Sequence, residues 1–180
     1  MNNRLINIAI NGYPRSGKDT FVDLCKEVSK FRVVCKYSSV DQVKSAARLF
    51  GWDGIKDKDT RAFLSLLKDE SDKVFDTSFR YMMNKIECHS RFIDKWNIQN
   101  QYFLFFAIRE PENIKRFCQE FDNTHTLFIR RDGLEEFDNH ADRNVNNYAY
   151  EFVIDNNGGI DELRVKAEKF LDNFKIGDVQ

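Results

Sequence analysis

Leu5-Ile6-Asn7-Ile8-Ala9-Ile10-Asn11-Gly12-Tyr13-Pro14-Arg15-Ser16-Gly17-Lys18-Asp19-Thr20 is the stretch on which the reading of this chain turns. Its first half has the apolar run of a buried strand. Gly12, four further residues, Gly17 and Lys18 follow, and then a helix on which Phe21, Val22, Leu24, Cys25 and Val28 share one face. Strand, glycine loop, lysine and helix is the order of a phosphate-binding P-loop. The glycines let the backbone curl until successive N–H groups face inward at a phosphate chain. The helix aims the positive end of its dipole at the same point. Lys18 adds a mobile charge for the β- and γ-phosphates. Where a Ser or Thr hydroxyl usually meets Mg²⁺, this chain has Asp19, with Thr20 one residue later.

Working outward, a length of 180 residues fits one domain with a substantial core. The 28 basic and 29 acidic residues leave a formal net charge of −1, so no global basic field calls for a nucleic acid polymer. A hydrophobic content of 42% with 17 Phe argues for a packed globule rather than disorder. Cys25, Cys35, Cys88 and Cys118 have no C-x-x-C spacing and read as reduced thiols on buried faces. With no membrane-length apolar run and no signal-peptide pattern, a cytoplasmic protein is expected, monomeric or homodimeric.

Strands and helices alternate along the chain. Arg32–Tyr37 reads as a second strand, and Ser38 and Ser39 as caps for a helix bearing Val43, Ala46, Ala47, Leu49 and Phe50. Gly51-Trp52-Asp53-Gly54 ends that helix, and Lys56-Asp57-Lys58-Asp59 reads as a charged loop. Helices are expected over Thr60–Lys68 and about Asp76–Cys88, the second with Phe75, Phe79, Met82, Met83 and Ile86 as core. Gln101–Ile108 is apolar on both faces, as a central parallel strand would be. Pro111 suits the first turn of a helix. Thr126–Ile129 and Phe152–Ile154 are further strands. The final helix carries Ile160, Leu163, Ala167, Phe170, Leu171 and Phe174 on one face. The pattern predicts an α/β fold, a parallel five-stranded sheet flanked by helices in a single domain.

In such a sheet, ligands lie beyond the carboxyl ends of the strands. The residues leaving the strands there are 12–20, Ser38-Ser39-Asp41, Arg109-Glu110, Arg130-Arg131 and Asn156-Asn157. Arg109 ends the most apolar strand, and its guanidinium suits a bidentate grip on an acceptor's phosphate. The polar stretch 130–147 reads as a short lid whose arginines, Arg130 and Arg143 among them, close over the γ-phosphate. His140, with Asp138 and Asp142, reads as a solvated loop rather than a metal set. Ala107 and Ile108 stand where many P-loop proteins carry an acid for Mg²⁺, leaving Asp19 or Glu110 as substitutes.

The sequence resembles the deoxynucleoside monophosphate kinases of tailed bacteriophages and related bacterial P-loop kinases. The resemblance rests on the Arg15-Ser16-Gly17-Lys18-Asp19-Thr20 ending, in which that family also has aspartate after the lysine. It extends to Leu49–Gly54 with Lys56, Asp57 and Arg61, to Ile108–Glu112, to Asn139–Asp142, and to Ile154–Gly158. It departs at Leu66-Leu67-Lys68-Asp69-Glu70, where the phage enzymes have a Leu-Gly-Thr-Glu pattern, and at Ala107, where they often have Asp. The resemblance implies a P-loop NTPase fold with a helical acceptor-binding insertion over residues 41–100. It implies ATP and Mg²⁺ as cofactors and a nucleoside monophosphate as acceptor. Lys18, Arg109, Arg130 and Arg143 are then the catalytic candidates. Gly12, Arg15, Ser16, Gly17, Lys18, Asp19, Thr20, Asn156 and Asn157 would hold ATP, the Asn156 turn against adenine, with Asp19 also on the metal. Ser39, Asp41, Arg61, Arg109 and Glu110 would meet the acceptor. Another small phosphorylated metabolite as acceptor, or nucleotide binding without transfer, are the alternatives.

Overall fold

The computed structural model describes residues 4–134 and 148–174. Five strands form one sheet: β1 (Leu5–Asn11), β2 (Val33–Ser38), β3 (Tyr102–Ala107), β4 (Thr124–Arg130) and β5 (Phe152–Asp155). All neighbours run parallel, in the order β2-β3-β1-β4-β5. The helices are α1 (Lys18–Val28), α2 (Asp41–Leu49), α3 (Lys58–Phe75), α4 (Thr77–Lys95), α5 (Pro111–Glu120) and α6 (Ile160–Asp172). This is the expected α/β architecture. Among the described residues, no helix is long and apolar enough to cross a membrane.

The sheet is covered on both faces, which is why β1 and β3 carry almost no polar alternation. On one face, Ile6, Ile8, Ile10, Phe103 and Phe105 meet Phe21 and Leu24 of α1 and Phe170 and Leu171 of α6. On the other, Ala9, Leu104 and Phe106 meet Met82 and Ile86 of α4 and Ile114 and Phe117 of α5. Successive side chains of a strand point to opposite faces, so one apolar run feeds both cores.

Several local expectations are corrected. Ser38 and Ser39 do not cap α2; its N-cap is Val40. Asp41 instead accepts from Ser38 N at 2.7 Å, and Ser39 N extends the sheet by donating to Ala107 O. The charged loop is shorter than expected, because Asp57 is itself an N-cap, accepting from Thr60 N at 2.8 Å. From there α3 runs to Phe75 without a break. Asp76, in the left-handed region at φ 53°, separates α3 from α4, which continues past Cys88 to Lys95. Leu49, Phe50, Phe75 and Ile160 are all exposed, Phe75 against its expected place in the core. The first three belong to α2 and α3, which lie against each other and α4, away from the sheet. Cys25 alone is fully buried; Cys35 and Cys118 are half-buried and Cys88 is exposed.

A consequence for stability follows from the two cores. Phe105 is wholly buried beneath Phe170, whereas Phe63 on α3 is 39% exposed. Denaturant unfolding should show Phe105→Ala losing about 3–5 kcal/mol and Phe63→Ala roughly 1 kcal/mol or less. Equal losses would mean that α3 is as firmly packed as the sheet.

Candidate functional site

In the order β2-β3-β1-β4-β5, the chain leaves β1 toward one edge of the sheet and leaves β3 toward the other. The crevice between their carboxyl ends is the topological switch point where open α/β sheets bind ligands. The 12–17 loop leaves β1 there, and the Arg109–Glu110 turn leaves β3.

The loop has the backbone that its glycines suggested. Gly12, Arg15 and Gly17 all have positive φ, at 153°, 66° and 91°. A Cβ on Gly12 would sit 2.6 Å from both Ile129 O and Ser16 Oγ, and one on Gly17 would overlap Asn156 Nδ2. Arg15 holds a left-handed conformation without a glycine's freedom, a strain typical of ligand-binding loops. The first helical hydrogen bond is Phe21 N to Gly17 O at 2.8 Å. The amides of Lys18, Asp19 and Thr20 therefore precede any helical acceptor and form the positive end of α1.

Two buried asparagines hold this loop. Asn11 accepts from Gly12 N at 2.8 Å and donates through Nδ2 to Arg109 O at 2.9 Å and to the Tyr150 hydroxyl at 2.8 Å. It thereby ties the loop to the turn after β3. Asn156 donates to Ser16 O at 2.8 Å, while its own N–H donates to Arg130 O. The Asn156 side chain thus supports the loop from behind. Asn157 is exposed and pairs with Asp132 through both its amide oxygen and nitrogen, joining the turns after β4 and β5.

The remaining expected residues are placed as follows. Lys18 and Thr20 open α1 beside the loop. Asp19 is 72% exposed on its side chain and lies 3.8 Å from Lys36. Ser39 is buried where β2 ends, and Asp41 pairs with Lys44 at 3.0 Å. Arg130 is bidentate on Asp155 at 2.5 and 2.9 Å, so its guanidinium is occupied at the sheet edge. Of the expected lid, only residues 130–134 are described; Asn139, His140, Asp142 and Arg143 lie outside the described residues.

A cluster of cations gathers near Arg109. Partial burial, and then the charges of Lys44, Arg109 and Arg61, hold the Lys56 ammonium below its ordinary range, while Asp19 acts in the opposite sense. Lys56 therefore feels the other three cations and also Asp19 in the first turn of α1. Arg61 Nε also donates to Lys56 O at 3.1 Å, fixing the pair. Lys44, like Asn11, had no assigned role in the sequence. Nothing local marks Lys44, whereas Asn11 is a polar residue closing an apolar strand, a signal that was available.

Glu110 is engaged by neighbours within the protein. Lys68 grips it at 3.0 Å, and Asn113 donates to it at 3.3 Å. Burial pushes its carboxyl up, but Lys68 and these hydrogen bonds outweigh that and hold it below its ordinary value of 4.5.

No family model matches the chain, and no curated protein matches it. A candidate kinase from Chloroflexus aurantiacus is similar in fold, with a TM-score of 0.51 and 11% identity over 96% of this chain and 98% of its own. TT1252 from Thermus thermophilus aligns at a TM-score of 0.49 with 17% identity, covering 96% and 99% of the two chains. Thymidylate kinase from Ehrlichia chaffeensis aligns at 0.47 with 15% identity, covering 93% and 98%. The fold is the α/β fold of P-loop proteins.

Two outcomes test how the site is held. Asn156→Ala leaves Ser16 O without its donor and should cost roughly 1–2 kcal/mol in unfolding experiments. Lys68→Met removes what holds the Glu110 carboxyl down. Glu110 contributes stability above its unfolded pKa and loses it as pH falls through the lower folded value. Without Lys68, burial raises that folded value, so acid unfolding followed by circular dichroism should begin at higher pH. An unchanged acid limb would show that the pair is solvated.

Proposed function

We propose that the chain transfers the γ-phosphoryl group of ATP to the phosphate of a nucleoside or deoxynucleoside monophosphate, giving the diphosphate. The observation that carries this reading is the pairing of two anion-binding arrangements at one switch point. One is the loop of Gly12, Arg15 and Gly17 with Lys18 at the head of α1. The other is the set of Lys44, Arg109 and Arg61, whose charges all act on Lys56, which also feels Asp19 of α1. A protein that only held a nucleotide would have little use for the second.

In this reading the loop amides and Lys18 bind the β- and γ-phosphates, and Arg109 with Arg61 and Lys56 binds the acceptor phosphate. An acceptor oxygen forms a bond to the γ-phosphorus as the bond from that phosphorus to the β–γ bridging oxygen breaks, and ADP leaves with the electron pair. The acceptor phosphate is already anionic, so positioning and charge neutralisation suffice and no covalent protein intermediate is required. The residues fit Mg²⁺ held largely by nucleotide phosphates and water. Asp19 offers one exposed carboxylate in the first turn of α1, and no group of three ligating side chains is assembled among the described residues. When bound, the ion would neutralise phosphate charge. Ala107, where many P-loop proteins have an acid, favours a second reading in which the nucleotide is bound but not used.

Steady-state kinetics against a panel of monophosphates separates these readings. Lys18→Ala should abolish transfer with the fold retained. Arg109→Ala should raise the acceptor KM roughly ten- to a hundredfold, the worth of a charge-assisted bidentate contact, with ATP affinity little changed. Wild type that binds ATP and phosphorylates nothing on the panel would favour the binder. Equal damage to ATP and acceptor binding in Arg109→Ala would overturn the acceptor assignment.

A further inference from the structure

A cavity of about 230 Å³ opens where the α3–α4 junction meets the ends of β2 and α5. Its wall includes Ser39, Asp72, Ser78, Phe79, Met82 and Asn113. Phe79 and Met82 make it apolar on one side, and the rest is polar. Asp76 also borders it, but both of its carboxylate oxygens are taken by Arg116, at 2.8 and 2.5 Å.

The cavity wall is bonded to the turn after β3, Asn113 donating to Glu110. Asp72 lies one turn of α3 beyond Lys68, which bonds Glu110, the neighbour of Arg109. Ser39, on the opposite wall, is bonded through its N–H to Ala107 O at the end of β3. These bonds tie the cavity wall to Ala107 and Glu110, which flank Arg109 in the chain.

The polar atoms there are unevenly matched. Ser78 is 4% exposed, yet its Oγ has no hydrogen-bond partner among the described residues. A buried hydroxyl left unmade costs its desolvation, and such a group in a cavity wall calls for an occupant. Asp72 uses one oxygen to accept from Ser78 N at 2.8 Å; its other oxygen lies 3.6 Å from Lys68 Nζ. Asn113 donates to Glu110 and keeps its amide oxygen for another donor. The wall is rich in acceptors, with the Ser78 hydroxyl able to donate or accept.

We propose that this cavity reads the base of the acceptor nucleotide and selects bases that carry an exocyclic amino group, Asp72 accepting from that amino group and Ser78 Oγ bonding the neighbouring ring nitrogen or carbonyl. This rests on the monophosphate-kinase reading above. A base with a carbonyl in place of the amino group sets oxygen against the Asp72 carboxylate. Sites that hydrogen-bond a substrate N–H discriminate strongly against the analogue lacking it.

The test uses matched pairs differing at the amino group, CMP against UMP and GMP against IMP, with binding measured by calorimetry and transfer by kinetics. The amino member of each pair should bind at least tenfold more tightly. Asp72→Asn can still accept from Ser78 N and so keep α4 capped, but it presents N–H in place of a carboxylate oxygen. It should shrink the preference within each pair or reverse it. Ser78→Ala removes an unpaired buried hydroxyl, so it should be at least as stable as wild type while binding the amino-bearing nucleotides more weakly; a merely structural serine would show no such split. Equal affinities within both pairs, or a preference untouched by Asp72→Asn, would overturn this inference while leaving phosphotransfer intact. Failure of all four to bind would overturn it too. Failure of every monophosphate to accept phosphate, with binding retained, would overturn the kinase reading instead.

Discussion

The 12–17 loop keeps its shape because Asn11 and Asn156 satisfy its backbone from two sides. A loop that turns its amides toward a ligand leaves carbonyls and flanking N–H groups facing the protein. Those groups are buried, and a buried polar group without a partner costs about 1–3 kcal/mol. Asn11 takes the N–H at the start of the loop and Asn156 donates to the carbonyl near its end. Each asparagine is also bonded elsewhere, Asn11 to the turn after β3 and Asn156 to the end of β4. The loop is therefore fixed in register with both neighbouring strands, and the crevice inherits its geometry from side chains that face away from it.

Strand order does the rest. With β1 between β3 and β4, the loop and the Arg109 turn emerge side by side, and neither core has to distort to bring them together. The cations are then crowded rather than dispersed. The Lys56 ammonium is depressed first by its partial burial and then by that crowding, since nearby like charges disfavour the charged form.

Much of this was legible in the residues. The run from Leu5 to Thr20 specified strand, loop and helix, because β1 is buried on both faces and because the positive φ at Gly12 and Gly17 needs glycine. The apolar Tyr102–Ala107 strand and the α6 stripe of Leu163, Ala167, Phe170 and Leu171 were equally readable from burial. Phe75 was taken for core from periodicity alone, but periodicity does not say whether a helix reaches the sheet, and α3 does not. Asn156 and Arg130, expected near the nucleotide because they follow strands at the ligand end, also carry bonds that the residues alone did not announce: Asn156 to Ser16 O and Arg130 to Asp155. Strand ends also carry the groups that brace the loops, and position in sequence does not separate brace from contact. Lys44 and Ser78 were invisible for a different reason, because their importance comes only from neighbours distant in the chain.

The helix α3 spans 18 residues and buries none of them. Arg61 rides on it and Lys56 just before it, so half of the cation cluster stands on an element with little apolar anchorage. Segments of that kind occupy the low end of a protein's local stability. Without an anion, the mutual repulsion of the cluster works against holding α3 close; with one bound, the same charges draw it in. A bound anion at a hundredfold its dissociation constant adds about 2.7 kcal/mol to whatever state holds it, comparable to burying a large apolar side chain. On the proposed reading, the acceptor's phosphate would serve α3 as the missing piece of a hydrophobic core, an ionic keystone arriving and departing with each turnover.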